Sequence, residues 1–272
     1  MDTKNYRNLF IHWASMQDNI HLIAWTGDRV NSASVNNPLH PYQWILGVED
    51  VHQDLAFEEL GLEDMIQCAN IQSDDEPNYH ILFKDRTRFE VLVKDKEDFD
   101  EYLNMDSLSE VVLDKNHLYG ARPKPTDLAY REVKPEAEEI YLCQEVFFKE
   151  ATALCMYLYN NDLLPGQLAL ERLRKPLLTV TRAYCGLQSE FTVNLGTDLR
   201  NLKVYLTPEW FDHLSRTFSS FHRDQMWDAL FQACMLFRKC GLALDEKLKY
   251  SYPRDMDVAM LKLFRSMWEE VR

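Results

Sequence analysis

The segment TGDRVN, Thr26 to Asn31, sets a glycine in a tight loop with an arginine and an asparagine behind it. After a spacer the chain enters YQWILGV (42–48), an apolar run that reads as a buried strand. A loop that grips phosphate leads into a catalytic strand in this way. The strand, however, carries no carboxylate. The nearest acids do not replace one. Glu49 shares a face with Gln43, but six strand residues separate them by roughly 20 Å, and Asp50 is no closer. The loop and strand could therefore form an active site or only the shell of one.

The elements that must position these residues differ between the halves of the chain. IHLIAW (20–25) reads as a strand that ends at Gly27. YHILFK (79–84) and RFEVLVK (88–94) flank a three-residue polar connection and predict a hairpin. In its second strand Phe89, Val91 and Val93 share one face, and Arg88, Glu90, Leu92 and Lys94 share the other. DLAFEELGLEDMIQCA (54–69) reads as a helix. The pattern predicts a mixed sheet with helices packed on it.

Residues 119–139 hold Pro123, Pro125 and Pro135 and read as an interdomain linker. Beyond them the period becomes helical. Ile140, Cys143, Phe147, Ala151, Leu154 and Leu158 form one stripe, NNDLLPGQ (160–167) breaks that helix, and LALERLRKPLLTVTRAY continues as a second. Thr207 followed by Pro208 predicts a helix start. Residues 224–250 form a long amphipathic helix, and Asp255 caps a last helix that buries Leu261, Phe264 and Trp268. The expected architecture is α+β: a mixed sheet with helices over 1–133, then a helical bundle over 134–272.

Composition bounds the function. The 272 residues suit one large domain or two small ones, and an apolar fraction of 46% supports a sizeable core. No run approaches the roughly 20 apolar residues that cross a bilayer, and the start has no apolar signal-peptide run. A cytoplasmic protein with no membrane partner is expected. Six dispersed cysteines lack zinc spacing and read as reduced core thiols. The net charge of −14 disfavours nucleic acid and favours cationic partners.

Several longer stretches carry a resemblance. VVLDKNHLY (111–119), CQEVFF (143–148), LERLRKPLL (170–178), QMWDALFQACMLFRK (225–239) and LKYSYP (248–253) keep the order of matching stretches in the aminoglycoside 6-adenylyltransferase family, the streptomycin-modifying enzymes. The chain resembles that family over almost its whole length. The TGDRVN loop, the following strand and the hairpin strand bearing Glu90 resemble the nucleotidyltransferase fold. The resemblance implies transfer of AMP from ATP to an aminoglycoside hydroxyl, with Mg²⁺ and ATP required if the protein is active and no cofactor otherwise.

The same resemblance locates a damaged metal site. The family's glycine is Gly27, but its serine is Asp28. Its Asp-x-Asp pair falls on Pro41 and Gln43, and its third aspartate on Glu90. Glu90 is the one metal ligand this alignment leaves. Arg29 and Asn31 match the loop. Glu145 falls on a glutamate that takes a proton from the substrate hydroxyl, or is simply a solvated helix acid. NLGTDLRNLKVYL (194–206) resembles a stretch with three lysines, of which Thr197 replaces the first, Arg200 the second, and Lys203 remains. Arg200 and Lys203 meet phosphate in that reading, and otherwise form an exposed face. A further family lysine is Cys155.

The expected nucleotide contacts are therefore Gly27, Asp28, Arg29, Arg200 and Lys203. The expected protein is a catalytically impaired relative that binds an aminoglycoside-like cation or a nucleotide in an interdomain cleft. Two other readings stay open: an active adenylyltransferase, and a protein-interaction module built on this fold.

Overall fold

The computed structural model describes residues 5–31, 39–60, 64–71, 76–120 and 123–272. The chain divides into two compact units, Met1–Tyr130 and Arg131–Arg272. In the first unit a helix, α1 (Tyr6–Met16), precedes strands β1 (Ile20–Thr26), β2 (Tyr42–Val48), β3 (Met65–Asn70), β4 (Asn78–Phe83) and β5 (Arg88–Asp95). A short helix, α2 (Phe99–Met105), and strand β6 (Ser109–Asp114) complete it.

The six strands form one sheet in the order β3-β4-β5-β2-β1-β6. β2 and β5 run parallel, and every other neighbouring pair is antiparallel, so the sheet is mixed as expected. The β4–β5 hairpin forms as its turn signals predict. One face of the sheet carries Trp44, Leu46, Phe89, Val91 and Val93 against α1, where Phe10 stacks on Trp44 at 4.5 Å. The other face carries Leu22, Ala24 and Ile45 against Phe99 and Leu103 of α2. Strand alternation puts Gln43, Glu90 and Lys94 on this second face. Lys94 is only 2% exposed there, paired with Glu76 and Tyr102.

One local expectation of this unit fails. Among the described residues of 54–69 there is no α-helix: a single 3₁₀ turn spans Phe57–Leu60, and Met65–Asn70 is strand β3. β3 lies at the sheet edge and is mostly exposed, so burial leaves no strand period in its sequence; its backbone pairing to β4 decides its conformation. At the far edge, Asp114 of the VVLDKNHLY stretch accepts the backbone N–H groups of Leu118 and Tyr119, which turns the chain at the end of β6.

The second unit is helical: α3 (Ala137–Tyr159), α4 (Leu163–Gln188), α5 (Leu202–Tyr205), α6 (Pro208–Arg216), α7 (Arg223–Leu248) and α8 (Arg254–Val271). The Ile140 stripe of α3 is buried, apart from the half-buried Cys143, and Phe147 stacks on Phe237 of α7 at 3.8 Å. Thr207 caps α6 as predicted, accepting the N–H of Trp210 with Pro208 behind it. The predicted break is shorter than NNDLLPGQ. Pro165 falls in the first turn of α4, where its missing N–H costs nothing, and Gly166 packs beside Met226. Asp255 does not cap α8. It lies inside the first turn, where a carboxylate complements the helix dipole.

The LKYSYP stretch ties these helices together. The Tyr250 hydroxyl donates to the Pro135 carbonyl, and Gln144 donates to the Ser251 carbonyl. The Tyr252 ring packs directly on Gly241, where a Cβ would come within 2.5 Å of it. Beside it the buried Asp257 pairs with Arg238 at 2.5 Å. Among the described residues, no helix is long and apolar enough to cross a membrane.

Candidate functional site

β1 ends at Thr26, and the chain turns at Gly27 with φ of 79°, a left-handed value that favours glycine. Backbone bonds from Val30 to Gly27 and from Asn31 to Asp28 close the loop. Thr26 is paired with Gln43 of β2, and Gln43 is paired with Glu90 of β5. Three neighbouring strands therefore bring Gly27, Gln43 and Glu90 to one spot on the α2 face of the sheet.

The side chains close over that spot. The Gln43 amide donates to the Glu90 carboxylate at 2.9 Å. Its carbonyl oxygen occupies the place above Gly27, only 1.7 Å from where a Cβ would stand. Glycine is required twice here, by its φ and by this close approach. The sequence presents Gln43 as a weak ligand. Its role as the partner of Glu90 appears only with the β2–β5 register.

The loop's charges are also engaged. The Arg29 guanidinium lies 3.9 Å from the Tyr42 ring centroid, and its Nε donates to the His40 carbonyl at 2.8 Å. Asp28 lies 3.9 Å from the His40 ring, and its negative charge reaches Tyr130. Burial first, and then the hydrogen bond to Asp106 at 2.6 Å, push the Tyr130 hydroxyl far above its ordinary value. Glu49, the acid nearest along β2, is held by Lys96 and His21.

These donors do not fit a magnesium ion. Mg²⁺ takes hard oxygen ligands in near-octahedral order and is held in such sites by carboxylates. Here one carboxylate, Glu90, faces an amide N–H, and Pro41 has no donor side chain. Among the described residues, no three His, Cys, Asp or Glu side chains are grouped to hold a metal ion.

The remaining expected residues lie in the helical unit. Glu145 is exposed near the start of α3, between the buried Gln144 and Phe147. Arg200 and Lys203 are exposed around the start of α5, with the Lys203 ammonium 5.4 Å from the Phe211 ring centroid. The family-lysine position, Cys155, is buried and touches the Met267 sulfur at 3.5 Å. Burial pushes its thiol up to about 12.

Comparison with known proteins covers nearly the entire chain. It is 27% identical to an aminoglycoside 6-adenylyltransferase of Bacillus subtilis over 97% of both proteins. It is 24% identical to one from Campylobacter jejuni, over 92% of this chain and 90% of that protein. A crystal structure of an aminoglycoside 6-adenyltransferase from Bacillus subtilis aligns with 96% of this chain and 97% of its own, at 22% identity and a TM-score of 0.49. The family model for streptomycin adenylyltransferase matches residues 2–267. The chain belongs to the streptomycin adenylyltransferase family.

Proposed function

We propose that this family member binds an aminoglycoside-like cation or a nucleotide and does not transfer AMP at a useful rate. The carrying observation is the hydrogen bond from Gln43 to Glu90 above Gly27. AMP transfer places a divalent cation between carboxylates and phosphate oxygens. Each such electrostatic contact contributes several kcal/mol to the transition state, and about 1.4 kcal/mol is a tenfold change in rate. An amide donor spends the one remaining carboxylate on an internal bond. Asp28 adds a negative charge at the loop that would meet a triphosphate.

In this reading the residues that contact nucleotide are Gly27, Asp28, Arg29, Arg200 and Lys203. Glu145 is the group placed to accept a hydroxyl proton if transfer occurs. The test is pyrophosphate release with MgATP and streptomycin, run beside calorimetric binding of each. Binding without release is expected, and robust turnover overturns the proposal. A variant carrying Asp28→Ser, Pro41→Asp and Gln43→Asp then asks whether the rest of the site is competent.

A further inference from the structure

The second unit holds a cavity that none of the expected site residues lines. It measures about 450 Å³ and lies between the start of α7 and the end of α8. Its lining includes Trp227, Phe231 and Trp268 together with the charged Asp224, Glu269, Arg265 and Arg272. Two hydrogen bonds place it along the bundle. Gln144, beside Glu145, bonds the carbonyl of Ser251 just before α8, whereas Tyr159 at the other end of α3 bonds Glu270 near the end of α8. Tyr159 lies fourteen positions beyond Glu145 along α3, about 21 Å of helical rise. The cavity is therefore at the opposite end of the bundle from Glu145.

We propose that this cavity is a binding site for a compact organic cation with a flat head group, such as an aryl amidinium. Three observations carry the inference. The walls are aromatic and mutually braced: Trp227 and Phe231 stack at 6.0 Å, and Trp268 meets Phe231 edge-on at 5.9 Å. Such rings attract a cation over their faces. The chain already shows this chemistry, because the Arg272 guanidinium sits 5.0 Å from the Trp268 ring centroid. Lastly, polar capacity there is unspent. Asp224 and Glu269 form no ion pair among the described residues, whereas Asp228, also on the wall, is held by a bidentate Arg216. A planar ligand with a cationic head meets the Asp224 and Glu269 carboxylates from over the aromatic wall.

The experiment titrates the full chain with benzamidine and, as a neutral comparator of the same shape, benzamide. Tryptophan fluorescence and calorimetry give the readout. Saturable benzamidine binding is expected, with benzamide about tenfold weaker or more. Asp224→Asn and Glu269→Gln should each weaken benzamidine several-fold, and Glu145→Gln should leave it unchanged. Both carboxylates are exposed, so these variants stay folded, Asp224→Asn losing only the small stabilisation of a first-turn carboxylate, and they decide the matter even if a Trp268→Leu variant is unstable. Absence of saturation, equal binding of benzamide, or indifference to both carboxylate variants overturns the proposal.

Discussion

Gln43 and Glu90 lie opposite each other on the parallel pair β2–β5, joined by a 2.9 Å bond from amide to carboxylate. A carboxylate at position 43 would stand against a carboxylate at 90 and require a cation between them. The amide removes that requirement. Gln43→Asp is accordingly expected to destabilise the metal-free protein by about 1–3 kcal/mol, from lost bonding and like-charge repulsion. Added Mg²⁺ should recover part of the loss by binding the folded state. Thermal melts with and without Mg²⁺ check this independently of activity. A Gln43→Asp melt indifferent to Mg²⁺ means that more of the site has diverged.

Gly27→Ala meets two penalties, the positive φ and the Gln43 oxygen. A loss of about 1–3 kcal/mol is expected. Gln43→Ala on the same chain should relieve the steric part and leave the backbone part. A denaturant-melt double-mutant cycle with strong coupling is the expected signature, and additive losses would contradict the close approach.

At the end of the helical unit, Gly241→Ala pushes a methyl into the Tyr252 ring. The expected cost is about 1–3 kcal/mol. Asp257→Ala leaves the half-buried Arg238 without its partner and should cost more, about 3–5 kcal/mol. Chemical denaturation ranks the two.

In the triple variant Asp28→Ser, Pro41→Asp, Gln43→Asp, any recovered pyrophosphate release should fall on the order of 10²- to 10⁴-fold on adding Glu145→Gln. An unchanged rate would assign Glu145 to the solvated helix face and remove it from proton transfer.

Stability should fall in mild alkali. Burial and the Asp85 hydrogen bond push Tyr6 from 10.0 up to about 12. The folded pKa lies above the unfolded one, so the contribution is complete below about pH 10 and is lost as pH rises toward 12. The buried thiols Cys155 and Cys185, pushed up to about 12, act in the same direction from pH 9 upward. Melts across pH 8–11 should show less loss for Tyr6→Phe than for the wild type. At pH 8, iodoacetamide should label the exposed Cys68 first and the half-buried Cys143 more slowly.

The helical half and the hairpin were legible in the sequence because their signals are local. The Ile140 stripe repeats at helical spacing, Thr207-Pro208 is a start written in two residues, and Phe89, Val91 and Val93 alternate across one strand. The family resemblance was legible for a similar reason, since ordered short stretches survive as text. β3 was not legible. An exposed edge strand buries too little to imprint a period, and it forms because β4 offers backbone partners. The site divides along the same line. Gly27, Pro41, Gln43 and Glu90 could be picked out from the chain as candidate positions. That Gln43 spends itself on Glu90 could not, because 47 residues separate them and only the parallel pairing of β2 with β5 brings them to one spot. Sequence set which groups were available; the strand register decided which of them met.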